Sequence, residues 1–199
     1  MSRPRIVLAS ASAIRAQILA AAGAPFEIAR PDIDEAAMKA AALRDGLALS
    51  DIAQNLADAK ALAVGAQGGA IVVASDQLMA FDGRAYDKPR TMEEARARLR
   101  LLQGKAHTLI NAVAIARRGA IVFRHLDAPT LFMRTMSDAE IDAYLDAAGE
   151  EILSSVGAYQ LEALGARLFD RVEGDYFAVL GLALMPVLGF LRGEGALAY

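Results

Sequence analysis

The chain has 199 residues, is 55% hydrophobic and 23% charged, and carries a formal net charge of −3. That is enough material for one large domain or for two small lobes sharing a sheet. It has no cysteine and only two histidines, His107 and His125, which excludes disulfides, thiolate zinc sites, cysteine nucleophiles and a three-histidine metal centre. The acidic balance and the lack of any Lys/Arg block argue against a nucleic-acid-binding surface.

Arg3 and Arg5 precede an apolar stretch with the outline of a signal peptide, but Arg15 and Gln17 interrupt it early. A cytoplasmic location is the expectation. Ile6–Ala9 reads as a short buried strand, followed by a helix over Ser12–Ala22 that Gly23 ends in the usual C′ role. Phe26–Ala29 is a candidate second strand, and Pro31-Asp32-Ile33-Asp34-Glu35 an acidic loop or helix start. Ser50–Val64 reads as a helix with Leu49, Ile52, Leu56 and the stem of Lys60 on one face, broken at Gly65–Gly69.

Ala70-Ile71-Val72-Val73-Ala74 is a continuous apolar run, typical of a strand covered on both faces, and is expected to end in Ser75-Asp76-Gln77. Asp82-Gly83 marks a turn. Thr91 caps a helix to Leu102 with Glu93 and Glu94 in its first turn, and Gly104 stops it. Residues 106–116 and 120–134 are expected to form two long strands around an Arg118-Gly119 hairpin. Ser137-Asp138-Ala139-Glu140 has the pattern of a capping box opening a helix to about Ala148. The longest uncharged apolar run, Tyr176–Leu191, falls short of the ~20 residues that span a bilayer and contains Gly181, Pro186 and Gly189, so it reads as buried core. Helices and strands alternate until the hairpin interrupts them, which predicts a mixed α/β fold.

Ser10 and Ser12 lie where the first strand gives way to a helix, with Arg15 about one turn on. A helix N-terminus with hydroxyl and guanidinium donors suits a phosphate, although a serine N-cap alone has the same form. Asp76, at the expected end of a buried strand, can hold a divalent metal, accept a proton from water, or cap a turn. Lys88 sits ahead of Pro89, which stiffens the chain; it is either a point charge for a phosphate or a solvated surface lysine. Lys60 faces inward by periodicity and can instead snorkel along apolar surface. Asp34 and Glu35 can bind magnesium or open a helix. His107 reads as structural, and His125 carries no assignment. No Gly-x-x-x-x-Gly-Lys-Ser/Thr, Gly-x-Gly-x-x-Gly, His-Glu-x-x-His or Gly-x-Ser-x-Gly motif occurs, and an Asp-x-Asp reading of Asp76 fails at Leu78.

Taken in order, several segments resemble the Maf family of nucleoside triphosphate pyrophosphatases. They are Leu8-Ala9-Ser10-Ala11-Ser12 with Arg15, Ala59-Lys60-Ala61, Ala74-Ser75-Asp76-Gln77, Lys88-Pro89, Leu102-Gln103-Gly104-Lys105-Ala106-His107, Gly157-Ala158-Tyr159, and Gly174-Asp175-Tyr176 with Val179 and Gly181-Leu182. The resemblance covers nearly the whole chain and implies a single domain over residues 1–199. It implies an elongated, twisted mixed sheet flanked by helices, with a cleft between two lobes, similar to inosine triphosphate pyrophosphatases. It also implies a homodimer that hydrolyses a nucleoside triphosphate to the monophosphate and pyrophosphate, without nucleic-acid or membrane partners. By this analogy Asp76 is the proton acceptor, and Ser10, Ser12, Arg15, Glu35, Lys60 and Lys88 line a triphosphate and metal site. A divalent cation, Mg²⁺ or Mn²⁺, is expected at Asp76 or Glu35, with Asp76 preferred as base and Glu35 nearer the metal.

Three positions separate the family's subgroups. The dTTP/UTP group carries arginine, threonine and glutamine there, and the 7-methyl-GTP group tryptophan, glutamine and glutamate. This chain has Ile14, Gln77 and Glu162, two of which match the second group. One carboxylate can accept both the N1–H and the exocyclic amine of guanine, and N7 methylation adds a positive charge that favours it further. Ile14 departs from the pattern because isoleucine cannot stack on a cationic base; Ala183 stands where the family usually has proline. The alternatives are a dTTP/UTP pyrophosphatase, an enzyme clearing non-standard purine triphosphates such as inosine triphosphate, and a non-catalytic regulator of septum formation.

Overall fold

The computed structural model describes residues 3–65 and 69–199. Its first half contains β1 (Ile6–Ala9), α1 (Ala13–Ala21), β2 (Glu27–Ala29), α2 (Glu35–Arg44), α3 (Leu49–Ala63), β3 (Ile71–Phe81), β4 (Arg84–Tyr86) and α4 (Met92–Leu102). Then come β5 (Ala106–Arg117), β6 (Ala120–Asp127), β7 (Thr130–Met133), α5 (Asp138–Ala148), β8 (Phe169–Glu173), α6 (Tyr176–Val179) and α7 (Leu184–Gly193). The strand order is β2-β1-β3-β5-β7-β8, with β4 on β3 and β6 on β5. β1 runs parallel to β2 and β3, while β4, β6, β7 and β8 pair antiparallel. The expected mixed α/β class is borne out.

The chain divides into two compact units. The first comprises Met1–Gln77, Asn111–Asp127 and Gly181–Tyr199. Its core takes every residue of β1, Ile71–Ala74 of β3 and Ala112–Ala116 of β5, none more than 9% exposed. Ile18 and Leu19 of α1, Ile52 and Leu56 of α3, and Val187 and Leu191 of α7 are buried as well. Such continuous apolar strands are what burial on both sheet faces requires. The second unit comprises Leu78–Ile110 and Ala128–Leu180. Its core gathers Met79, Leu99, Leu102, Leu131, Ile141 and Tyr159.

Local chemistry accounts for several boundaries. Thr91 caps α4 by accepting the Glu94 N–H at 3.1 Å. Ser137 and Glu140 form the full capping box of α5. Arg118 and Gly119 both have positive φ, 53° and 78°, the backbone of a tight two-residue hairpin.

Two expectations are corrected. β3 does not end in Ser75-Asp76-Gln77 but continues to Phe81, so those residues lie inside an 11-residue strand. The expected strand over 120–134 is two strands, β6 and β7, parted at Ala128-Pro129; proline has no N–H for a ladder. The apolar run Tyr176–Leu191 bends at Gly181, where φ is 104°, between α6 and α7. It is half buried, with Tyr176, Met185 and Gly189 exposed. No helix among the described residues is long and apolar enough to cross a membrane.

Candidate functional site

The first unit gathers a group of polar side chains on apolar scaffolding. Lys60 reaches in from the last turn of α3 and Asp76 from the middle of β3, with residue exposures of 6% and 5%. Lys60 Nζ lies 2.7 Å from Asp76 Oδ1 and 2.8 Å from Glu35 Oε2. The inward periodicity of Lys60 was legible, but its charged end does not snorkel to solvent: it joins two carboxylates. Asp76 Oδ2 is buried and has no hydrogen-bond partner.

The acidic pair divides its work at the start of α2. Asp34 is the N-cap and its Oδ1 accepts the Ala37 N–H at 2.9 Å. Glu35, in the first helical turn, turns to Lys60, its side chain half exposed. Glu35 and Asp76 thus approach one cation from two elements. No group of three or more His, Asp or Glu side chains placed to hold a metal ion occurs among the described residues.

At the β1–α1 junction, Ser12 is the helix N-cap but its hydroxyl makes no capping bond. Instead the Ser12 N–H donates to Ser10 Oγ at 3.1 Å. Arg15 points back from α1. Its Nε donates to the Gly181 carbonyl and its Nη1 to the Ser75 carbonyl, both at 2.7 Å, with a longer 3.5 Å contact from Nη1 to Ser10 Oγ. Burial lowers the Arg15 pKa from its ordinary value, opposed by the nearby Asp76 and Glu35 carboxylates. Arginine is effectively always protonated, so it keeps its charge at neutral pH.

Three contributors were not singled out by sequence reasoning: Ser75, Asn111 and the Gly181 backbone. Ser75 Oγ donates to the Gly181 carbonyl at 2.8 Å. Asn111, fully buried on β5, donates to Ser75 Oγ at 3.0 Å and to the Asp76 carbonyl at 3.3 Å, and accepts the Ala183 N–H at 3.1 Å. One amide in the apolar run Leu109–Ala116 was the available signal, because a buried polar group needs partners. Gly181 combines a φ of 104° with close approach: a Cβ there would sit 3.3 Å from Arg15 Nε.

The remaining candidates divide between the units. Ile14 on α1 and Gln77 on β3 belong to the first and are partly buried; Lys88 and Glu162 belong to the second and are exposed. His107 is structural, as expected. Its Nε2 lies 2.6 Å from the Tyr159 hydroxyl, its Nδ1 has no partner, and burial, with a smaller contribution from Arg98, lowers its pKa to about 4. His125 lies 2.8 Å from Asp127 and stacks on Phe123.

The sequence profile of a family described as "Maf-like protein" matches residues 5–194. The chain is 44% identical over 197 residues to a protein of Caulobacter vibrioides named nucleoside triphosphate pyrophosphatase, covering 99% of both chains. It is 43% identical over 196 residues to a 7-methyl-GTP pyrophosphatase of Rhizobium meliloti, covering 98% of both. A protein of the same name from Brucella abortus is 41% identical over 191 residues, covering 96% of both.

Proposed function

The chain belongs to the Maf family, and from that premise we propose that it hydrolyses a nucleoside triphosphate to the monophosphate and pyrophosphate. The observation that carries this reading is the state of Asp76. Lys60 takes Oδ1, which leaves a buried, unpartnered Oδ2 to accept a proton. In this reading water attacks the α-phosphorus and Asp76 Oδ2 takes its proton, while pyrophosphate leaves. The carboxylate is enclosed, so water reaches it as neighbouring side chains move aside. Negative charge on the phosphate oxygens is met by Arg15 and Lys60, with Ser10 and Ser12 as hydroxyl donors. Lys88 enters as a further triphosphate contact by resemblance alone.

Glu35 and Asp76 are the residues that would hold a divalent cation. Glu35 stands nearer that role, its half-exposed carboxylate being a hard oxygen donor of the kind Mg²⁺ and Mn²⁺ take, while Asp76 would join it only by giving up the Oδ2 that takes the proton here. When bound, such an ion neutralises phosphate charge and lowers the pKa of its water. The two carboxylates share Lys60 Nζ, which holds them near one another.

For the substrate, the proposal is 7-methyl-GTP. Gln77 and Glu162 match that subgroup, and two relatives carry that name. A carboxylate at position 162 fits a cationic guanine better than an uncharged pyrimidine. The enzyme is read as a cytoplasmic homodimer. The test is a nucleotide panel with Mg²⁺ and Mn²⁺, scored by released pyrophosphate. The highest kcat/KM is expected for 7-methyl-GTP. A higher value for dTTP or UTP overturns the substrate, and no release from any nucleotide overturns the enzyme.

A further inference from the structure

Asn111 makes three hydrogen bonds from one buried amide, and each goes to a different part of the site. Its Nδ2 donates to Ser75 Oγ at 3.0 Å and to the Asp76 carbonyl at 3.3 Å. Its Oδ1 accepts the Ala183 N–H at 3.1 Å. The side chain therefore ties the β3 backbone at Asp76 to the turn at residues 181–183.

The polarity of this arrangement is fixed. Ser75 has a single hydroxyl hydrogen, and it is spent on the Gly181 carbonyl at 2.8 Å. Ser75 Oγ can then only accept from Asn111, so Nδ2 must face β3 and Oδ1 must face Ala183. A flipped amide would set oxygen against the Asp76 carbonyl and N–H against N–H at Ala183. No other residue of this size satisfies all three partners. Leucine satisfies none, and aspartate offers no donor to Ser75 or Asp76.

The Gly181 carbonyl gives the chain of bonds its consequence. It accepts from Ser75 Oγ and from Arg15 Nε at 2.7 Å, while Arg15 Nη1 reaches the Ser75 carbonyl, also at 2.7 Å. Arg15, Ser75 and Gly181 form a closed triangle, and Asn111 holds two of its corners: Ser75 directly, and Gly181 through Ala183 and the Ser75 hydroxyl.

We infer that Asn111 is a positioning residue that sets the Asp76 carboxylate and the Arg15 guanidinium relative to each other through Ser75 and the Gly181–Ala183 turn. The inference rests on the reading of Asp76 and Arg15 as catalytic and phosphate-binding groups. Asn111 touches neither substrate nor reacting atoms; it acts through the backbone that carries them. Misplacing reacting groups by about an ångström costs as much as 10²-fold in rate.

The experiment uses the full chain, with near-ultraviolet circular dichroism to select folded variants. Asn111→Asp keeps the shape and loses both donors; Asn111→Leu loses all three bonds. In both, kcat is expected to fall tenfold or more, with KM within about threefold. The second readout needs no substrate: amide-type exchange of the Arg15 Nε–H, followed by ¹H–¹⁵N NMR. It is expected to be slow in the parent chain and roughly tenfold faster in the variants, because the Gly181 acceptor is no longer held. Ser75→Ala deletes the relay from its other end with little change in volume, and it reports on the clamp even if neither Asn111 variant folds. An unchanged kcat, or an unchanged Arg15 Nε–H exchange rate, in folded variants overturns the inference. A parent chain that releases no pyrophosphate counts against the proposed activity, while the NMR arm still decides the clamp.

Discussion

Lys60 Nζ and Asp76 Oδ1 meet at 2.7 Å, with both side chains only 8% exposed. A buried ion pair is weak ground for claiming stability, yet removing one partner strands the other charge away from water. The asymmetry decides what each substitution does. Lys60→Met leaves the Asp76 carboxylate buried without its cation, and is expected to destabilise the chain by roughly 3–5 kcal/mol. Glu35→Gln alters the half-exposed partner of the same lysine and is expected to cost about 1 kcal/mol or less. Urea unfolding of the two variants beside the parent measures the contrast; equal losses would contradict it.

Asp76→Asn keeps the side chain's shape and an acceptor for Lys60 while removing the basic oxygen. Turnover is expected to fall by about 10²-fold or more with the fold intact, the scale of a lost general base. Pyrophosphate release at the parent rate would remove Asp76 from the chemistry.

His107 supplies a pH dependence unrelated to turnover. Its folded-state pKa is about 4 against an ordinary 6.5, mainly through burial. The unfolded chain therefore binds more protons than the folded chain between those values, so stability falls as pH drops from 6.5 and levels off below about 4. The loss from this one group reaches about 3 kcal/mol. Glu140 acts lower. The Ser137 backbone N–H, Arg134 and the Ser137 hydroxyl hold its pKa at about 2, so its contribution disappears as pH falls from 4.5 through 2. Thermal melts from pH 7 to 4 are expected to flatten in His107→Gln relative to the parent, and a parallel pair of curves would refute the assignment.

Gly157 lies under the Tyr159 ring so closely that a Cβ would meet it at 2.1 Å. Tyr159 is buried and packs edge-on against Phe169 at 4.7 Å between ring centres, so it has little room to yield. Gly157→Ala is expected to cost about 1–3 kcal/mol, the range for overpacking a core. Calorimetry reads the drop in midpoint; a variant as stable as the parent would mean that the ring relocates without cost.

What the sequence made legible follows how local each signal is. The Thr91 cap and the Ser137–Glu140 box complete themselves within four residues, so their helices could be read directly. The extent of β3 could not. Ser75, Asp76 and Gln77 look like a strand running out into solvent. Ser75 and Asp76 instead take their hydrogen bonds from α1, α3, β5 and the residue 181 turn, all distant in sequence, with Asp76 Oδ2 left over. The interior polarity of Asn111 was hidden for the same reason. Ser10, Arg15, Glu35, Lys60 and Asp76 were recognisable as a set because their motifs occur in a fixed order. Nothing in that order told which would pair, or that Asp34 would be used up as a cap.

The first unit is assembled from three separate stretches, the last of them Gly181–Tyr199. A ribosome making this protein has therefore joined everything up to Leu180 before the carbonyl that anchors Arg15 exists. Nascent chains and products terminated before Gly181 share that deficit, so the arginine is braced only once that residue has been added. Fragments left by translational stalling would carry Lys60 and Asp76 yet lack the turn that braces the arginine beside them.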